Sequence, residues 1–89
     1  MELIMSDLLK KFEQMTSQAK SLPTKPDDET LLQIYALYKQ STSGDVTGER
    51  PGFFDFVGGA KFDAWQQLAG TSNDEAMQKY IDLIEKLAA

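Results

Sequence analysis

Asp27-Asp28-Glu29-Thr30-Leu31-Leu32-Gln33-Ile34-Tyr35-Ala36-Leu37-Tyr38-Lys39-Gln40-Ser41-Thr42-Ser43-Gly44 is the stretch whose periodicity decides the fold. Its three leading acids sit where the positive end of a helix dipole favours negative charge, so a helix is predicted to begin at Asp27 or Asp28. The set Leu31, Leu32, Ile34, Tyr35, Leu37 and Tyr38 is too broad for one narrow stripe. A helix apolar over that much of its surface must touch something on two sides. One side then faces a core, and the other faces a ligand or another helix. Ser41-Thr42-Ser43-Gly44 ends it.

Upstream, Leu8, Phe12, Met15, Ala19 and Leu22 recur at spacings of four and three. That spacing predicts an amphipathic helix, with Ser6 or Asp7 as its N-cap and Pro23 beyond its end. Downstream, Gly44 through Asp55 holds three glycines and a proline without helical period, which predicts a long structured crossover. The helical pattern returns at Phe56, with Gly58-Gly59 weakening its first turn by roughly 1 kcal/mol per glycine. Lys61, Trp65 and Leu68 share one face, and Gly70 is the expected stop. Ser72-Asn73-Asp74-Glu75 reads as a capping box. It opens a last helix with Met77, Tyr80, Ile81, Ile84 and Leu87 facing inward. No stretch alternates with period two and no hairpin turn is present. The expectation is therefore all-α: four helices with one long crossover, which allows neighbouring helices to run in the same direction.

Composition limits what such a bundle does. Eighty-nine residues make one domain, taken as residues 1–89, with one core. Cysteine and histidine are both absent. That removes disulfides, thiolate nucleophiles, the usual neutral-pH general base and the commonest metal ligands. No metal-binding constellation remains, and no catalytic residue is assigned. A net charge of −5 argues against nonspecific binding to nucleic acid or to an anionic membrane surface. No apolar run reaches the roughly 20 residues that span a bilayer, so membrane insertion is not expected. The first residues lack the pattern of a secretory signal, and cytoplasm is the default expectation.

The candidate chemistry lies in pairs of rings and lysines. Tyr35 and Lys39, at i and i+4, project from one helix face. A ring stacks on a heteroaromatic base, and a lysine reaches a phosphate as a point charge. On spacing alone the plainer account is preferred, with Tyr35 as amphipathic core and Lys39 as a solvated charge. Lys61 beside Phe62 and Trp65, and the inward Tyr80, share that ambiguity. Asp45, Glu49 and Asp55 in the crossover are expected to be solvated. Gly58-Gly59 lacks the rest of a P-loop.

Taken in order, the segments Thr24-Lys25-Pro26, Tyr35-Ala36-Leu37-Tyr38-Lys39-Gln40, Gly44-Asp45-Val46 and Glu49-Arg50-Pro51-Gly52 form the first half of a pattern. Asp55-Phe56, Ala60-Lys61-Phe62-Asp63-Ala64-Trp65, Gly70-Thr71-Ser72 and Ala76-Met77-Gln78-Lys79-Tyr80-Ile81 complete it. Over about residues 7–88 the chain resembles the acyl-CoA-binding protein family, known also for the diazepam-binding inhibitor. The resemblance implies a four-helix bundle of that type with a bowl-shaped site for one medium- or long-chain acyl-CoA. It implies a monomer that carries and buffers these esters and delivers them to acyl-CoA-using enzymes, with no cofactor and no catalysis of its own.

Carried over by position, Tyr35, Tyr38 and Lys39 match the contacts on the second helix. Lys61 matches the third-helix lysine, Tyr80 the fourth-helix tyrosine, and Lys20 a basic contact at the end of the first. Leu31 and Leu32 correspond to positions near the acyl groove. Two positions depart from the family pattern. Gly59 stands where a basic residue is frequent, and Phe62 where tryptophan is common. The first removes a candidate phosphate contact, so the expected affinity is below the family's norm. Preferred acyl chain length is not set by these residues. The competing expectations are a regulator that docks on an enzyme or receptor, and a thioesterase, which would need an unusual carboxylate mechanism.

Overall fold

A computed structural model describes residues 2–89, and the side-chain surroundings of residues 7–89. Helix α1 spans Glu2–Gln18 and runs into a 3-10 turn, Ala19–Ser21. Helices α2 (Asp28–Ser43), α3 (Phe56–Gln66) and α4 (Asn73–Ala88) follow. The described residues form no strand. The all-α, four-helix expectation therefore holds. Its first boundary does not: Ser6 and Asp7 lie inside α1 rather than capping it.

The other starts are built by their own side chains. Asp27 caps α2, its carboxylate accepting from the Thr30 amide at 2.8 Å. Asp55 does the same for α3 through the Gly58 amide at 2.9 Å. Ser72 caps α4 through the Glu75 amide at 3.1 Å. Only this half of the predicted capping box forms. Glu75 turns instead to Lys79 one helical turn later, at 3.3 Å, an exposed pair that adds a few tenths of a kcal/mol at most.

Helix α4 is the hub, packing on both α1 and α2, while α3 packs on α2. Phe12, Met15, Leu37, Tyr80, Ile81 and Ile84 form the buried centre. Leu8, Ala19, Leu22, Met77 and Leu87 close over it. These are the predicted inward stripes of α1 and α4. A fully buried aliphatic such as Ile84 contributes about 1.5–3 kcal/mol, enough to fix the register of α4. The rings of Phe12 and Tyr80 meet edge to face with centroids 5.0 Å apart, tying α1 to α4.

Helix directions follow from paired contacts. Asn73, at the start of α4, donates to the carbonyls of Gln40 and Ser41 at the end of α2, at 3.2 and 2.8 Å. Later in α4, Tyr80 meets Tyr38. These two helices are therefore antiparallel. Along α3, Lys61 lies against Tyr35 and, one turn on, Trp65 lies against Lys39. So α2 and α3 run parallel, which the long crossover permits.

The crossover is held at several points. Gly44, at φ +79°, turns the chain out of α2 while its amide still bonds the Gln40 carbonyl. Its own carbonyl accepts from the Trp65 indole at 2.8 Å. Asp45 accepts from Gln40 Nε2 at 2.8 Å and from the Gly70 amide at 2.9 Å. Arg50 forms a two-pronged bond with Asp63, both arms at 2.9 Å. Asp45 and Asp55 are exposed, as expected for solvated acids, yet each fixes a backbone amide.

Candidate ligand-binding site

Parallel packing in register turns two separate helical pairs into one cluster. Tyr35 and Lys39 are i, i+4 on α2; Lys61 and Trp65 are i, i+4 on α3. Lys61 Nζ stands 5.2 Å above the Tyr35 ring, and Lys39 Nζ 4.9 Å above the Trp65 ring. Each helix thus gives one cation and one ring, and each cation rests on the other helix's ring. Such contacts contribute roughly 0.5–1 kcal/mol at exposed sites. They place one ammonium group over each ring, and among the described residues neither ammonium forms an ion pair. Two aligned cations beside two aromatic faces suit an anionic, base-bearing ligand.

Beside Lys61 opens a cavity of about 390 Å³, lined by Leu31, Leu32, Phe56, Val57, Ala60 and the lysine itself. Apart from Lys61 and an edge contributed by Asp28, its wall is apolar. A larger cleft of about 640 Å³ lies between α2 and α3 on the side that reaches Leu83 of α4. Volume alone would favour the larger one for a ligand. Its polar rim, however, includes the carboxylates of Glu29 and Asp63 and no lysine, and the nearby Arg50 is already spent on Asp63. An anionic headgroup is repelled there and attracted beside Lys61. The smaller cavity is therefore the candidate ligand site.

The candidate residues fall into three groups. Leu31, Leu32 and Lys61 share the cavity, and Tyr35 and Lys39 stand beside it in the cation–ring cluster. Tyr38 and Tyr80 belong to an aromatic group one step towards α1. Tyr38 is partly exposed and stacks on Phe12 with centroids 6.0 Å apart. Tyr80 is only 3% exposed, so little of its ring faces outward. Burial, and secondly the charge of Tyr38, push the Tyr80 phenol above its ordinary pKa of 10.0. Lys20 sits exposed on the 3-10 turn, and among the described residues no hydrogen bond or ion pair ties it to the cluster.

Trp65, Phe56 and Val57 were not singled out as site residues from sequence. The i, i+4 spacing of Lys61 and Trp65 was a signal for the first. Nothing in the sequence marked the other two, because their role depends on how the start of α3 meets α2. Gly59 has a structural reason for its lack of a side chain. A Cβ there would lie 2.8 Å from Arg50 Nη2, so the glycine leaves room for the Arg50–Asp63 fork. Being two residues from Lys61, it also points to a different side of α3.

Comparison with known proteins agrees with this geometry. Residues 9–84 match the family model described as Acyl CoA binding protein. A Caenorhabditis elegans protein, acyl-CoA-binding protein homolog 1, is 42% identical over 78 residues, covering 88% of this chain and 91% of that one. The acyl-CoA-binding protein of Saccharomyces cerevisiae is 44% identical over 78 residues, covering 88% and 90%. The crystal structure of Oryza sativa acyl-CoA-binding protein 2 superposes with a TM-score of 0.86 at 42% identity, covering 90% of this chain and 89% of that one. Helix order, parallel α2–α3 packing and sequence thus converge, and the chain belongs to the acyl-CoA-binding protein family.

Proposed function

We propose that this protein binds medium- to long-chain acyl-CoA esters one at a time and carries them without altering them. The observation that supports this most is the junction at Lys61. The same side chain closes the apolar cavity and stands over Tyr35, so one residue joins a place for an acyl chain to a place for a nucleotide. Leu31, Leu32 and Ala60 line the acyl part. Tyr35, Lys39, Lys61 and Trp65 contribute charge and ring faces to the CoA part, with Tyr38 at its edge. Lys20 supplies a more distant positive charge, and Tyr80 serves chiefly by bracing Tyr38.

Carriage rather than catalysis suits the residue supply. The chain has no histidine or cysteine, and Asp45, Asp55 and Asp63 are each committed to hydrogen bonds within the fold. Among the described residues, these three carboxylates are therefore held by the fold rather than presented to a thioester. A carrier of this kind buffers the acyl-CoA pool and hands esters to the enzymes that use them. Among the described residues no helix is long and apolar enough to cross a membrane. Work as a monomer in the cytoplasm fits that role.

Calorimetry with octanoyl-CoA, palmitoyl-CoA and free CoA tests the proposal. Saturable one-to-one binding that strengthens with the acyl chain is expected, with no free CoA released. Ala60→Phe, which fills the cavity, should weaken palmitoyl-CoA binding much more than CoA binding. No saturable binding of either ester, or release of free CoA by purified protein, would overturn it.

A further inference from the structure

The segment Phe53-Phe54-Asp55-Phe56-Val57 presents four large apolar side chains to solvent. They are 81%, 86%, 73% and 66% exposed in chain order. Such a run is costly to leave in water and marks an interaction surface. The core does not use it, and Phe53 and Phe54 do not line the ligand cavity. Phe56 and Val57 do line it, so the exposed run forms the lip of the cavity.

Two features say what covers this lip. The first is charge. Asp55 is the only charged residue in Pro51–Ala60, on a chain whose net charge is −5. Its carboxylate is engaged with the Gly58 amide at 2.9 Å. An anionic surface would repel the molecule as a whole, whereas a neutral one meets a neutral patch without penalty. The second is hydrogen bonding. The Asp55 amide bonds the Gly52 carbonyl at 3.0 Å, the Gly59 amide bonds the Asp55 carbonyl at 2.9 Å, and Gly58 bonds the cap. A protein interface typically carries about one hydrogen bond per 100–200 Å², and the four apolar side chains of this run have none to offer. A lipid boundary asks no hydrogen bond of apolar side chains, and their own backbone amides can stay at the hydrated headgroup level. Aromatic rings at such a boundary are the usual interfacial anchors.

We infer that Phe53, Phe54, Phe56 and Val57 form an interfacial anchor, which seats the mouth of the acyl cavity on an electrically neutral lipid surface such as zwitterionic phosphatidylcholine. The purpose of the anchor rests on the acyl-CoA reading, since a docked cavity takes up or releases an acyl chain without passing it through water. Its physics does not. Lys61 at the inner side of the lip stays at headgroup level, where its ammonium remains solvated.

Flotation of the full chain with phosphatidylcholine vesicles tests this, alongside vesicles enriched in phosphatidylserine. The wild type is expected to partition onto the neutral vesicles and less onto the anionic ones. Phe53→Ser/Phe54→Ser should lower partitioning at least about tenfold, since two rings no longer leave water. Phe54→Trp should retain it, and Leu9→Ser, at an exposed leucine on α1, should not change it. Both phenylalanines project into solvent, so a normal thermal melt and unchanged acyl-CoA calorimetry are expected for the double variant. Absence of wild-type binding to neutral vesicles would overturn the inference. So would preference for anionic vesicles, equal partitioning of the double variant, or a self-association lost in that variant without vesicle binding. Loss of acyl-CoA binding in the wild type would overturn the functional proposal instead, and calorimetry separates the two failures.

Discussion

Lys61→Met isolates the charge at the centre of the proposed site. Methionine keeps an unbranched stem against Tyr35 and offers a sulfur–ring contact of roughly 0.3–1.5 kcal/mol. The cation–ring attraction that it replaces, from Nζ 5.2 Å above the ring, contributes about 0.5–1 kcal/mol. Folding stability should therefore change by less than about 1 kcal/mol, a shift within roughly 4–8 °C in Tm for a domain of this size. Binding should respond more. A charge-assisted contact to a phosphate contributes about 1.5–3 kcal/mol. The lysine gives up part of its ring attraction to make that contact, leaving a net of about 0.5–2.5 kcal/mol. That corresponds to a loss of affinity between about twofold and sixtyfold, centred near tenfold. Calorimetry with dodecanoyl-CoA at low and high salt reads it directly. The wild type should weaken as salt rises, and the variant should weaken less steeply. Matching affinities for the two proteins, or a loss of identical size at both salts, would refute the assignment of Lys61 to a phosphate.

Three further outcomes are expected. Gln40 is fully buried and its Nε2 donates to both Asp45 and the Thr71 carbonyl; Gln40→Met should cost about 1–3 kcal/mol in urea unfolding, and a change under about 0.5 kcal/mol would contradict that role. Asp45, bonded by the Gly70 amide and then by Gln40, and Asp63, bonded by Arg50, both have pKa values below the ordinary 3.8. Their contribution is complete above that value and is lost as pH falls through the lower folded-state pKa, so Asp45→Asn should flatten the acid limb of a Tm-against-pH curve. Tyr80 has the opposite sign: with its phenol raised above 10.0, its contribution is present below pH 10 and lost as pH climbs through the folded-state value. Tyr80→Phe should move alkaline unfolding, followed by circular dichroism, to higher pH, and an unmoved midpoint would count against burial of the neutral phenol.

The helices themselves were legible in the sequence, because helical periodicity and capping are local properties. Asp27 and Ser72 cap where their neighbours said they would, and Phe12, Met15, Ile81 and Ile84 bury the faces their spacing assigned. Boundaries were less secure. Ser6 or Asp7 is the expected cap of α1, yet the helix extends back to Glu2, because a residue able to cap a helix is also tolerated inside one. The capping box at Ser72 was half right, since Glu75 had a competing partner in Lys79 that lies on the same face.

What the sequence alone could not decide was the meaning of its lysines. Spacing puts Tyr35 beside Lys39 and Lys61 beside Trp65, and by itself it makes the rings core and the lysines solvated charges. Only parallel, in-register packing of α2 on α3 crosses the pairs, setting each cation on the other helix's ring. The same packing makes Leu31, Leu32 and Ala60 the wall of a cavity, and leaves Phe53 and Phe54 outside it. Composition and local pattern are set by neighbours within a few residues, so they determined an acidic, all-α chain without histidine or cysteine. A binding site joins residues some 25 positions apart, and its chemistry exists only once helix direction and register bring them within contact distance.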